Sequence, residues 1–165
     1  MNDLEHLAAK ARELGASTAA VIDTTAIPFS STFRAMCEQN ACGKYGTSWM
    51  CPPGVGPYEE LKERILSFAG GVVYQTIYQL EDSFDFEGMH KGGAQHEQTF
   101  EKIADYLARS PEYELGLALK AGACTVCEEC AYGSNEPCRF PDRAVASLEA
   151  YCIAHGADCS MAFLR

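Results

Sequence analysis

The sequence predicts an α/β fold: one domain over residues 1–165, in which a small, mainly parallel sheet is flanked by helices and carries two cysteine-rich loops, 34–56 and 121–141. Three observations carry that expectation. Helical and extended apolar patterns alternate four times along the chain, the signature of successive strands joined by right-handed crossovers. No repeat, low-complexity tract or linker divides the 165 residues, a length that buries roughly 70% of the surface its unfolded chain exposes. Each cysteine segment also follows the carboxyl end of a predicted strand, at 23 and at 120. A parallel sheet would deliver both to one edge, where ligands bind in such folds.

The first helix is set by Leu4, Leu7, Ala8, Ala11 and Leu14, spaced by three and four residues behind Asn2 and Asp3 and closed by Gly15. Residues 17–23 read as a strand leading into an irregular segment that holds Cys37, Cys42 and Cys51. Pro57 suits a first helical position, where its missing N–H costs nothing. Leu61, Ile65 and Phe68 place one apolar stripe on the helix behind it, which ends at Gly70 and Gly71. Val72, Val73, Tyr74, Thr76, Ile77 and Tyr78 are β-branched or aromatic and predict a central strand.

From Glu81 to Gly93 the chain is acidic, glycine-containing and aperiodic, which predicts a long loop. Phe100, Ile103, Ala104, Leu107 and Ala108 define a helix that must stop before Pro111. Tyr113, Leu115, Leu117 and Leu119 alternate as one face of a third strand. An alanine-rich helix is expected over 143–155 from the spacing of Leu148, Tyr151, Cys152 and His155. Ala157, Cys159, Met161 and Phe163 then alternate as a closing strand.

Apolar residues make up 47% of the chain and charged residues 22%, the proportions of a globular protein and not of a disordered one. Thirteen Lys and Arg against twenty-three Asp and Glu leave a formal charge of -10, which repels phosphate backbones and anionic bilayers alike. Nucleic acid and membrane are therefore not expected partners. No apolar run approaches the ~20 residues that cross a bilayer. The first helix, with Asp3, Glu5, Lys10, Arg12 and Glu13, lacks the apolar centre of a secretion signal. A cytoplasmic location is expected, and a reducing compartment turns cysteine clusters toward metal binding or catalysis in place of disulfides. Nine cysteines, an odd count, also leave one over in any all-disulfide scheme.

The strongest chemical signal is Cys124-x2-Cys127-x2-Cys130, followed by Cys138. Three cysteines at successive three-residue steps let a short loop present sulfur to three corners of a 4Fe-4S cube, as in bacterial ferredoxins. Cys138 is the nearest candidate for the fourth iron, although its eight-residue step is longer than the ferredoxin one. Zinc is the alternative, since four thiolates bind it tetrahedrally, but zinc sites usually draw on two separated Cys-x2-Cys pairs.

The second signal is Cys37-x4-Cys42-x8-Cys51, with Gly43, Tyr45, Gly46 and Trp49 between and Pro52-Pro53-Gly54 at its end. Such a segment can hold three irons, with a fourth ligand from elsewhere or none, and an open iron would be a Lewis acid. Burial of Cys37 and Cys42 as small apolar residues is the plainer reading. Cys152 and Cys159 each fall on the apolar face of their own element and are expected to be core thiols, with either able to supply a missing fourth thiolate as the alternative. Arg34, Lys44 and Arg139 lie beside ligand cysteines, where positive charge favours thiolate and binds an anionic cofactor. Glu128 and Glu129 form an acidic rim that would steer a basic partner. His6, His90, His96 and His155 have no partner at ligand spacing. No phosphate-binding glycine loop and no serine–histidine–acid arrangement is present in the sequence.

The run from Cys37 through Cys42-Gly43-x-Tyr45-Gly46-x2-Trp49-x-Cys51-Pro52-Pro53 resembles DUF2284, a family of cysteine-rich proteins. So do Ala121-Gly122-x-Cys124-x2-Cys127-x2-Cys130, Pro137-Cys138-Arg139-x-Pro141 and Ser147-Leu148-Glu149-Ala150. The resemblance spans residues 33 to 155 and implies metal binding in anaerobic bacteria and archaea, with no reaction attached. Cys152 stands where similar proteins commonly have glycine, which places it outside the ligand set.

Together these readings predict an iron–sulfur protein with one or two 4Fe-4S clusters that transfers electrons in anaerobic metabolism to a redox partner protein. Cys124, Cys127, Cys130 and Cys138 would hold one cluster, and Cys37, Cys42 and Cys51 a second or part of a shared one. The alternatives are an enzyme whose open iron acts as a Lewis acid on a small substrate, and a zinc-binding structural or interaction module.

Overall fold

The computed structural model describes residues 2–113, 116–156 and 159–164. These residues gather into two compact units: one built from residues 1–24, 68–118 and 156–165, the other from 25–67 and 119–155. The chain thus leaves and re-enters each unit.

The first unit begins with helix α1 (Asp3–Glu13). Asn2 caps it by accepting the Glu5 N–H at 2.9 Å, and the Glu5 carboxylate returns the bond to the Asn2 N–H. Leu7, Ala8 and Ala11 form its buried stripe, which packs on strands β1 (Thr18–Ile22) and β2 (Gly70–Gln75). The four-stranded sheet has the order β1-β2-β4-β3, with β3 at Leu117–Leu119 and β4 at Cys159–Leu164. β2 is an inner strand, as its composition predicts.

The sheet corrects the expectation of mainly parallel strands. β1 pairs with β2 antiparallel, Ala20 opposite Val73, and β2 pairs with β4 antiparallel, Val72 opposite Ala162. A parallel pair needs a connecting helix packed on the sheet. Here the stretches that follow β1 and precede β4, 25–67 and 119–155, belong to the second unit, so they impose no parallel direction. The idea that both cysteine segments emerge at one edge of a parallel sheet falls with it. Gly71 fits this sheet closely: a Cβ there would lie 2.8 Å from the Phe163 ring.

Helix α4 (Phe86–Arg109) runs through what reads as a loop up to Gly93. Asp85 starts it by accepting the Gly88 N–H at 2.8 Å. Its buried stripe is Gly88, Gly92, His96, Thr99, Phe100, Ile103 and Leu107, so small and polar residues hold the inward positions of its first half. No apolar periodicity announces it. Gly92 lets the helix approach Tyr78, whose Cβ would sit 3.0 Å from an added methyl. His96 is a buried strut, with Thr76 Oγ1 2.9 Å from Nδ1 and Ser160 Oγ 2.9 Å from Nε2. Tyr113 lies in a 3-10 turn and not in β3. The expectations for Leu115 and Ala157 lie outside the described residues.

The second unit contains α2 (Thr32–Glu38) and α3 (Tyr58–Leu66), the latter with Pro57 at its N-cap, one position earlier than expected. The helix predicted over 143–155 is absent. Ser147 bridges to Lys120 and Ile153 to Phe29 as short β contacts, and Leu148 donates its N–H to Lys120 O at 2.8 Å. From Ala146 to Ile153 every residue except Glu149 is buried, so this is a core segment wrapped on all sides and not one face of a helix. Leu148 and Ile153 are fully inaccessible, each worth ~1.5–3 kcal/mol of apolar burial. Arg64 donates to the Tyr151 hydroxyl at 3.2 Å and ties α3 to this segment.

Candidate metal centre

All seven cysteines singled out as ligands lie in the second unit, and none of the nine cysteines forms a disulfide. Cys37 sits near the end of α2, a short helix where an irregular segment is expected. Beyond it the chain turns repeatedly. Asn40 takes φ 54° and Gly43 φ 72°, Gly43 donates to Asn40 O at 3.0 Å, and the Asn40 side chain accepts the Tyr45 N–H at 3.1 Å. Gly46, at φ 67°, donates to Pro52 O at 2.9 Å, folding the Cys42 end of the loop over the Cys51 end. Glycine supplies this left-handed backbone without steric cost.

Cys42 is exposed, Cys37 half-buried and Cys51 buried. The three line one cavity of about 400 Å³, together with Lys44, Tyr45 and Glu149. Burial raises the Cys51 thiol pKa, and the neighbouring Cys42, Cys37 and Cys124 raise it further, while Lys44 opposes them. Burial also raises Cys37, as does Cys42, against the pull of Arg34.

Cys124, Cys127, Cys130 and Cys138, all half-buried, form the second set. Burial raises the Cys127 thiol, and Cys130, Cys124 and Cys138 act on it in the same direction. Cys130 differs. Burial opposes its thiolate, but the backbone N–H groups of Tyr132 and Trp49, the Ser48 hydroxyl and Arg139 outweigh that and lower its pKa. Cys124 acts on both Cys51 and Cys127, so the two sets are coupled electrostatically through it.

The two segments are locked to each other. Trp49 Nε1 donates to Glu136 O at 2.9 Å, and its ring meets Tyr132 edge-on at 4.8 Å and 82°, a contact worth about 0.5–1.5 kcal/mol beyond its area. Gly54 packs beneath: a Cβ there would lie 2.7 Å from Ser48 O and 2.9 Å from the Tyr132 ring.

The three expected cofactor-binding cations take different places. The Arg34 guanidinium donates to Gly56 O at 3.0 Å and Ala150 O at 3.2 Å, while its Nε is buried with no acceptor among the described residues. Arg139 donates to Glu129 O at 3.1 Å beside Cys127 and Cys130. Lys44 lines the cavity. Cys152 and Cys159 are buried, the first in this unit with φ 58° and the second in β4. That positive φ is the physical reason glycine suits position 152.

Sequence reasoning missed two contributors. Ser48 and Trp49 hydrogen-bond the sulfur of Cys130 from the other segment. Glu149 lines the cavity and pairs with His155, Oε1 to Nε2 at 3.2 Å. Their only signal is membership of the runs Gly46-x2-Trp49 and Ser147-Leu148-Glu149-Ala150.

The donor chemistry suits a thiophilic cofactor: seven cysteines on two interlocked segments, a cavity walled by three of them, and an orphaned buried N–H on Arg34, whose charge acts on Cys37. A single zinc ion requires its sulfurs about 3.8 Å apart, the tetrahedral edge for bonds of about 2.3 Å. Among the described residues no three His, Cys, Asp or Glu side chains are gathered closely enough to hold one metal ion.

These features define a cysteine-rich metal-binding protein. The chain belongs to the family described as predicted metal-binding protein, DUF2284, whose match covers residues 20–162 and so includes both cysteine sets. No curated protein and no solved structure matches it. Among the described residues no helix is long and apolar enough to cross a membrane.

Proposed function

We propose that the chain is an iron–sulfur protein that carries electrons in a reducing, cytoplasmic setting, with a 4Fe-4S cluster on Cys124, Cys127, Cys130 and Cys138 and a second on Cys37, Cys42 and Cys51. The observation that supports it most is the interlocking of two cysteine sets within one unit, each surrounded by groups that act on sulfur. When bound, such a cluster supplies one-electron chemistry. The protein's own residues tune it: N–H groups of Tyr132 and Trp49, with the Ser48 hydroxyl, withdraw electron density from Cys130 sulfur, and Arg139 adds positive charge beside it. Arg34 Nε offers a further donor on the Cys37 side. The formal charge of -10 favours a redox partner with a basic docking face.

The test is iron, zinc and acid-labile sulfide per chain after anaerobic purification. About four irons support one cluster and about eight support two; zinc without sulfide refutes the reading. Cys127→Ser should remove metal from the second set while Cys152→Ser leaves it. Equal loss from both contradicts the separation of ligands from core thiols.

A second reading is favoured by the cavity. Three thiols alone line its about 400 Å³, with Lys44 and Glu149 among the polar groups, which suits an iron acting as a Lewis acid on a small molecule.

A further inference from the structure

We propose that Glu149 is the fourth ligand of the Cys37, Cys42 and Cys51 site, an oxygen donor where the other three are sulfur. The inference rests on the iron–sulfur reading and starts from donor arithmetic. Two cubes need eight protein donors at four each, and the two interlocked segments supply seven cysteines. If Cys124, Cys127, Cys130 and Cys138 complete one set, the other is short by one.

Cys152 does not fill the gap. Cys152 acts on Cys37, as Glu149 does, but it is wholly inaccessible and, unlike Glu149, does not line the cavity. Glu149 is the one carboxylate among the residues that line the cavity with the three thiols, and Lys44 and Ser147 line it too. It is also the single residue from Ala146 to Ile153 that is not buried, so the core segment on either side fixes its backbone and leaves its side chain to the cavity.

The carboxylate is held as a ligand is held. Its Oε1 lies 3.2 Å from His155 Nε2, and its Oε2 accepts the Gly122 N–H at 3.4 Å, two residues before Cys124. Ser147 and the Glu149 backbone N–H also act on this carboxylate; with about four lone-pair sites in all, ligation of a metal would take the place of one of these bonds. Metal-bound carboxylates are themselves oriented by such outer hydrogen bonds. Burial works against its charge, but His155 and Ser147 outweigh that and keep the Glu149 carboxyl below its usual range.

One oxygen ligand makes one iron exchangeable. One-electron oxidation of a [4Fe-4S]2+ cluster by ferricyanide gives the 3+ state, which separates into [3Fe-4S]+ and Fe2+, so charge and iron are conserved. Anaerobically purified wild-type protein treated with one equivalent of ferricyanide should show the [3Fe-4S]+ electron paramagnetic resonance signal and release about one iron per chain to a ferrous chelator. Glu149→Gln should release that iron roughly tenfold faster, even before oxidation. Glu149→Cys, which completes four thiolates, should retain it and suppress the signal; because it can load fully, it keeps the test decisive if the Gln variant fails to fold. Wild-type release rates in both variants overturn the assignment. Absence of iron and sulfide from the wild type overturns the iron–sulfur reading itself, and this inference with it.

Discussion

Replacing Gly54 by alanine tests whether the two cysteine segments are held as one body. The added Cβ would lie 2.7 Å from Ser48 O, 2.9 Å from Tyr132 Cε2 and 3.1 Å from Trp49 Cα. Two of these neighbours are backbone, so no rotamer change relieves them. Overpacking of this kind costs about 1–3 kcal/mol, and for a chain of this size each kcal/mol lowers Tm by roughly 2–4 °C. The combined shift is therefore roughly 2–12 °C. The strain falls on Ser48 and Trp49, which hydrogen-bond the sulfur of Cys130. Loss of such an outer partner weakens metal binding on the order of tenfold. Gly133→Ala is the control: it lies in the same neighbourhood, with nothing within 4 Å of its added Cβ. Differential scanning calorimetry and the rate of metal loss to a chelator measure both effects. A Gly54→Ala protein that melts and holds metal like Gly133→Ala would refute the interlock.

Two further substitutions separate backbone geometry from side-chain contact. At Cys152, φ 58° costs an L-residue about 1–2 kcal/mol, and glycine's looser unfolded chain returns about 0.4–1 kcal/mol of any gain. Cys152→Gly should therefore be about 0.5–1 kcal/mol more stable than Cys152→Ala, with equal metal content in both; urea titration decides, and equal midpoints contradict the backbone argument. In α4, Gly93→Ala meets open space and should stabilise the helix by about 0.5–1 kcal/mol. Gly92→Ala, whose Cβ would sit 3.0 Å from Tyr78 Cβ, should destabilise it. Thermal melts of the pair check the contrast, which fails if the two shifts have the same sign.

The ends of the chain were the most legible part of the fold where the local signal was strong. Asn2 and Asp3, followed by Leu7, Ala8 and Ala11, announce α1, and the Asn2 cap and the burial of the three apolar residues agree. The composition of Val72, Val73 and Tyr74 announces an inner strand. Strand direction was not legible, because pairing is decided between β1, β2 and β4 while alternation along the chain is silent about what connects them. The first half of α4 was hidden because Gly88, Gly92 and His96 occupy its inward positions, chosen for close approach and hydrogen bonding over hydrophobicity. The opposite error arose at 143–155. Leu148, Tyr151 and Cys152 have helical spacing by coincidence, in a segment buried on nearly every side.

At the candidate site, cysteine spacing picks out both sets, and the structure gathers them in one unit. Spacing cannot reveal partners that arrive from elsewhere in the chain. Ser48 and Trp49 reach Cys130 across more than seventy residues of sequence, and Glu149 reaches the Cys37 cavity across more than a hundred.

The division of the second unit into residues 25–67 and 119–155 has a consequence for synthesis. The ribosome releases Cys37, Cys42 and Cys51 long before Glu149, His155 and the whole second set exist. Until residues 119–150 are made, the early thiols lack the part of their cavity wall formed by Gly122, Ala123, Ser147, Glu149 and Ala150. A chain truncated upstream of 147 would keep Cys37, Cys42 and Cys51 but lack the Ser147, Glu149 and Ala150 side of their cavity.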